Sequence, residues 1–322
     1  MRKGRPEVVP LYIQPSVRQR TEGFFTADLR GRERGPLKNR GVFFVTCAAL
    51  LYSLGGLCIK FIPWNGMAIN ASRTAIALLV IGAYLLLTKH RLRLNRWIFL
   101  GSLSVFGCNA LFTVANKLTT AANAIVLQYT VPIFVILFSM LFFKRRPTKL
   151  DLAASAVVFG GVIFFFVDSL EMGGGLGNFI ALLSGVSYAG IFLMNEIPDS
   201  DGISSVFWGD VISAVVGLPF LLRETEFTST ALTSLLVLGV FQVGVAYVCL
   251  CEGLKTTPPI TASLITGIEP VLNPILVAVF YGEHMGTMAL IGAAIVIVSV
   301  IGYNVLKAGE ARKTLSNQAN LS

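Results

Sequence analysis

Charge is scarce in this chain. Of 322 residues only 13% are charged, against 54% that are hydrophobic, and a soluble domain carries about 25% charged residues. Histidine is rarer still: His90 and His284 are the only two. Both lie between apolar runs, so no Ser-His-Asp or histidine-based metal constellation can be assembled. No Walker motif is present, so ATP hydrolysis by the chain is not expected. No stretch between apolar runs is long enough for a separate catalytic or nucleic-acid-binding module. The five cysteines, Cys47, Cys58, Cys108, Cys249 and Cys251, all fall inside apolar runs and lack metal-ligand spacing. They read as small apolar packing residues. The polar N-terminus has no early apolar segment followed by a small-residue cleavage site, so it is not read as a secretory signal.

What the chain has in abundance is apolar runs about 20 residues long, the length of a helix across the hydrocarbon core. Ten are expected: Val42–Phe61, Met67–Thr88, Trp97–Asn116, Thr119–Phe143, Leu150–Val167, Leu176–Asn195, Ile203–Leu222, Ala231–Cys251, Pro259–Tyr281 and Thr287–Leu306. Helix is the expected structure, because backbone groups in lipid must pair within their own segment. The alternating ten-residue segments of a membrane barrel are absent. The fold class is therefore an all-α integral membrane protein.

The net charge of +9 is concentrated. Residues 1–40 carry ten Lys and Arg and read as a flexible, basic cytoplasmic tail that can rest on anionic lipid. Nucleic acid is not an expected partner. With the N-terminus inside, 22 of the 26 Lys and Arg fall on the cytoplasmic side, and the outer loops hold only Lys117 and Arg223. This bias predicts a multi-pass protein of the cell membrane, plasma or inner, with both termini cytoplasmic and residues 307–322 as the C-terminal tail.

The two halves echo one another. Lys117-Leu118-Thr119-Thr120 is matched by Lys255-Thr256-Thr257-Pro258, and Pro132 by Pro270, at an offset of 138. Gly41 matches Gly177 and Tyr52 matches Tyr188 at an offset of 136. The repeat unit is five runs, spanning 41–168 and 176–306. An odd unit must cross in opposite senses in its two copies, the inverted arrangement of many secondary transporters.

The segments closing each half are Thr130-Val131-Pro132-Ile133-Phe134 leading to Lys144-Arg145-Arg146, and Ile268-Glu269-Pro270-Val271-Leu272 leading to Tyr281-Gly282-Glu283. With the paired five-run repeat they resemble the EamA-type members of the drug/metabolite transporter superfamily over residues 41–306. The first half has Lys144-Arg145 where that family often has Gly-Glu. The resemblance implies two five-helix inverted repeats and transport, often export, of amino acids, metabolites or amphipathic compounds.

Charges inside spans usually face an interior or a watery path. Glu269 lies mid-run, with Thr266 and Asn273 on the same helical face. Pro270 cannot donate a backbone hydrogen bond, so the carbonyl of Thr266 should be left open, as Pro132 should leave that of Gln128. Glu269 is thus the expected substrate- or coupling-ion residue, oriented by Gln128, Thr266 and Asn273. Loss of hydration would let it alternate between a proton and a cationic or amine-bearing solute. Tyr52, Asn109, Tyr188, Gln242 and Tyr247 are further candidates to line the path. Arg73 and Asp210 are matched at an offset of 137 and read as structural anchors, with Arg73 snorkelling outward; the resemblance places their helices away from a central cavity.

The leading expectation is a secondary transporter of a small organic solute, without a cofactor and with the bilayer as its surroundings. A nucleotide-sugar or phosphorylated-sugar carrier is the alternative, disfavoured by the acid at the centre and the few buried bases. A non-transporting scaffold or receptor is the reading from another class.

Overall fold

A computed structural model of the protein describes residues 35–119, 121–166, 175–281 and 287–319. Residues 1–34, most of the basic tail, lie outside them, as do Gly282–Gly286 with Glu283 and His284. Among the described residues all regular structure is helical. Seven helices are long and apolar enough to cross a membrane, and Val131–Phe143 and Ala294–Tyr303 are shorter apolar helices. The last helix runs from Thr287 on to Ala319, so most of the expected C-terminal tail continues it.

Helix starts follow from local chemistry. Asn65 accepts from the Met67 N–H, Asn95 from those of Trp97 and Ile98, and Asp201 from that of Ser204. Each side chain satisfies donors that have no intrahelical partner. Asn65 and Asp201 each cap a helix that opens with glycine, in the second and seventh runs.

Several apolar runs are not continuous α-helices. The first is Gly35–Tyr52, a turn at Ser53 and Leu54, then Gly55–Lys60. The fourth is Ala121–Gln128, then Val131–Phe143 with Pro132 in its first turn. The ninth is Pro259–Ile265, a 3-10 turn Thr266–Ile268, then Glu269–Tyr281. The eighth, Ser229–Leu254, carries a π-helical stretch at Leu238–Val245.

Large apolar side chains lie on the outside, and a mostly apolar interior also encloses polar groups. Leu79, Leu86, Leu87, Phe142 and Val298 are exposed, while Asn70, Arg73, Asn109, Asp210 and Asn273 are buried. That arrangement suits a hydrocarbon solvent, where polar groups must find partners inside the bundle.

The repeats pack as inverted copies. The second run, Gly66–Thr88, lies along its mate, Gly202–Leu221. A Cβ on Gly217, late in the one, would stand 2.6 Å from the Met67 carbonyl oxygen, early in the other. The fifth run, Lys149–Phe166, likewise lies along the tenth, and the Tyr303 hydroxyl donates to Asp151 Oδ1 at 2.8 Å. Both mate pairs are therefore antiparallel. The first run packs on the eighth and the third on the sixth. Gly41 sits against Thr256 and Thr257, and its mate Gly177 against Leu118 and Thr119, so the same contact is made twice.

The connections gather at two ends. At one, Trp64 Nε1 donates to the Glu226 carbonyl at 2.7 Å, the Asn65 N–H to Glu224 Oε1 at 2.8 Å and Lys117 Nζ to the Ile62 carbonyl at 2.7 Å. At the other, His90 meets Asp201 at 2.8 Å, Trp208 Nε1 donates to the Arg93 carbonyl at 3.1 Å and Arg145 pairs with Glu196 at 2.6 Å.

Candidate functional site

The interruptions in the first, fourth and ninth runs and the π-helical stretch of the eighth bring the candidate residues to the interface between the repeats. Tyr52 ends the first helix segment, at the turn before Gly55 and Gly56. These glycines admit two side chains from the other repeat. A Cβ on Gly55 would stand 3.2 Å from Gln242 Nε2, and one on Gly56 2.3 Å from Asn273 Oδ1. Gln242 lies on the π-helical stretch, a distortion that recurs at functional sites. The fourth and ninth runs break at matching places: Gln128 precedes one break and its mate Thr266 opens the other. Discontinuous helices of this kind form the midplane sites of many transporters.

Three tyrosines meet here. The Tyr52 and Tyr188 rings lie edge to face with centroids 6.3 Å apart, and Tyr52 and Tyr247 likewise at 5.6 Å. All three are buried, and the hydroxyls of Tyr52 and Tyr188 have no hydrogen-bond partner. An unpartnered buried hydroxyl is costly, which marks it as a place for a ligand or ordered water. Glu269 is 7% exposed and lies within electrostatic range of Tyr52, Tyr188, Tyr129 and Cys108.

All nine expected site residues are buried. None of Gln128, Thr266 and Asn273 hydrogen-bonds Glu269. Gln128 Nε2 donates to Cys108 Sγ at 3.7 Å, the Thr266 hydroxyl donates to the Ser263 carbonyl at 2.9 Å, and Asn273 Nδ2 has no partner. The Tyr129 hydroxyl shares that Ser263 carbonyl at 2.6 Å, tying the fourth run to the ninth. The Thr266 carbonyl is not left open: the chain tightens into a 3-10 turn and the Glu269 N–H takes it. The carbonyl of Gln128 packs on Gly185, where a Cβ would come within 2.6 Å.

Arg73 corrects the expectation. It does not snorkel: it is 1% exposed and sits inside the bundle. Its Nη1 donates to Gln242 Oε1 at 3.1 Å, and its Nη2 to the Asn109 carbonyl at 3.0 Å, with Asn70 Oδ1 at 3.3 Å and Asn109 Oδ1 at 3.4 Å also in reach. Asn109 Nδ2 in turn donates to Asp210 Oδ1 at 3.3 Å, and the Tyr247 hydroxyl to Asn109 Oδ1 at 3.3 Å. Asn109 and Tyr247 are themselves mates, at an offset of 138. The signal that could have found this network is the pairing of Arg73 with Asp210 across the repeats, since mates near a two-fold axis approach one another. Among the described residues no group of three or more His, Cys, Asp or Glu could hold a metal ion.

Comparison with known proteins bears on this geometry. Residues 39–167 and 175–305 each match the EamA-like transporter family. The chain belongs to the EamA-like transporter family. Its two matched copies correspond to the inverted halves, and as an EamA-like transporter it is a multi-pass membrane protein. It is 25% identical over 308 residues to an uncharacterized transporter of Clostridium kluyveri, covering 87% of this chain and 98% of that one. Solute carrier family 35 member G1 of Mus musculus is 26% identical over 137 residues, 41% of this chain and 37% of that protein. A solved crystal structure superposes with a TM-score of 0.71 at 18% identity, covering 84% of this chain and 98% of that one, a likeness of fold.

Proposed function

We propose that this EamA-like transporter is a secondary carrier of a small organic solute, an amino acid, metabolite or amphipathic compound, working in the direction of export. The observation that carries this reading is the convergence of interrupted helices from both repeats on Tyr52, Tyr188, Gln242, Asn273 and Glu269. A solute held there touches both repeats, so rocking of one against the other exposes it to each side in turn. Glu269 alternates between a proton and the solute and supplies the coupling. The termini face the cytoplasm, and the host bilayer is the plasma or inner membrane.

A polyanionic cargo is a poorer fit. Among the described residues Arg73 is the only buried Lys or Arg, and Asp210 and Glu269 are buried with it.

The test is a solute panel. Purified protein is screened for thermal stabilisation, because a ligand that binds only the folded state raises the melting temperature. Stabilising solutes are then assayed for flux in proteoliposomes. Saturable flux lost in Tyr52→Phe, Tyr188→Phe and Glu269→Gln supports the reading. Binding without flux for every solute would favour a receptor.

A further inference from the structure

The connection between the second and third runs carries a pattern that solute transport does not use. Arg91-Leu92-Arg93-Leu94-Asn95-Arg96-Trp97 interleaves basic and apolar side chains, and all of these but Asn95 are exposed. Residues 90–95 form neither helix nor turn, yet their backbone is held. The Arg93 N–H donates to Ser204 Oγ at 3.1 Å, the Arg93 carbonyl accepts from Trp208 Nε1 at 3.1 Å, and Asn95 Nδ2 donates to the Asp199 carbonyl at 2.7 Å. All three partners belong to the other repeat, so the segment is a strap fixed across the two halves. Among the described residues Arg91, Arg93 and Arg96 make no ion pair; of the acids at this end, Asp201 meets His90 and Glu196 meets Arg145. The Arg96 guanidinium lies over the Trp97 ring, 4.9 Å from its centroid.

We propose that this strap is a docking site for anionic phospholipid. The three guanidiniums, planar and without acid partners, take the phosphate-bearing head groups. Leu92, Leu94 and Trp97 lie against the acyl boundary, where tryptophan is favoured. A soluble phosphate would match the arginines and leave the leucines in water. A neutral lipid would cover the leucines and leave the arginines without a counter-charge. Anionic lipid answers both. Because the seventh run holds the backbone of the strap, lipid bound there secures the contact between the repeats at this end and stabilises the folded bundle. The inference does not depend on which solute is carried, or on its being carried at all.

The experiment reconstitutes full-length protein in nanodiscs of phosphatidylcholine alone and of phosphatidylcholine and phosphatidylglycerol in equal parts. The wild type is expected to melt higher in the mixed discs and to retain phosphatidylglycerol preferentially in native mass spectrometry. Arg91→Gln, Arg93→Gln and Arg96→Gln spare the backbone bonds. Each should weaken phosphatidylglycerol binding by roughly fivefold, the attraction of one basic residue to an anionic surface, and leave melting in phosphatidylcholine unchanged. Leu92→Ser with Leu94→Ser keeps every charge and should also weaken it. Lys144→Gln, Arg146→Gln and Lys149→Gln together remove three exposed charges from the fourth-to-fifth connection and should matter less than the three strap substitutions together. Equal losses from the two triple variants would reduce the effect to net charge and overturn the site. Equal melting of the wild type in the two discs would overturn it as well. Stabilisation by inorganic phosphate in phosphatidylcholine discs, equal to that by phosphatidylglycerol, would give the arginines to a soluble anion instead. None of these readouts involves flux, so their failure leaves the transport reading standing, and absence of flux leaves this site standing.

Discussion

Tyr52 and Tyr188 occupy the same place in the two repeats, and their rings meet edge to face 6.3 Å apart. Residues that touch their own mates lie at the two-fold axis relating the halves. Asn109 and Tyr247 do the same through a 3.3 Å hydrogen bond. These four residues thus lie by that axis, where motion of one repeat against the other is felt by groups from both.

The unpartnered tyrosine hydroxyls lead to a test that separates binding from stability. Removing a buried hydroxyl with no partner should leave stability unchanged or raise it by up to about 1 kcal/mol. Tyr52→Phe and Tyr188→Phe are therefore expected to melt at or slightly above the wild-type temperature and to transport poorly. A fall in melting temperature with normal flux would mean that the hydroxyls serve packing.

Glu269→Gln keeps shape and hydrogen-bonding capacity but cannot exchange a proton. The variant should insert and fold normally, and its transport in proteoliposomes should lose its dependence on pH. An unchanged pH series in the purified variant would end the case for Glu269 as the coupling acid. A loss confined to stability would assign it to packing.

Arg73 is held by four acceptor contacts to three residues of the interior. Arg73→Met leaves the Asp210 carboxylate and those acceptors without their cation, at a cost of about 3–5 kcal/mol. Adding Asp210→Asn should recover part of that loss. Thermal unfolding of both single variants and the double variant measures the coupling, and strict additivity would show that the two residues do not share a network.

Gly41 and Gly177 make the same contact in the two halves against different atoms. A Cβ on Gly177 would stand 2.8 Å from the backbone carbon of Leu118, which cannot yield, whereas on Gly41 it meets the hydroxyls of Thr256 and Thr257. Gly177→Ala should cost about 1–3 kcal/mol and Gly41→Ala less, read as the order of the two melting temperatures.

Reporter fusions test the orientation. Fusions at Ala308 and Lys149 should report cytoplasm and one at Glu226 the outside. An external signal at Ala308 would mean that the number of crossings is not even.

Much of the architecture was written in the sequence. Apolar runs of membrane length and the matched positions Tyr52 and Tyr188, Pro132 and Pro270, define two repeats, because hydropathy and proline act through the local chain alone. The breaks in the fourth and ninth runs follow from those prolines. The break in the first run has no proline; Gly55 and Gly56 are visible, but not that Gln242 and Asn273 come from the other repeat to lie against them. The π-helical stretch around Gln242 leaves no mark in composition. Arg73 shows the limit most clearly. Sequence places a cation on a helix in lipid, and a long side chain there can either reach the interface or turn inward. Which it does depends on whether acceptors stand within reach on neighbouring helices. Asn109 and Gln242 stand there only because the third and eighth runs pack around the second, and that packing is decided by the whole bundle.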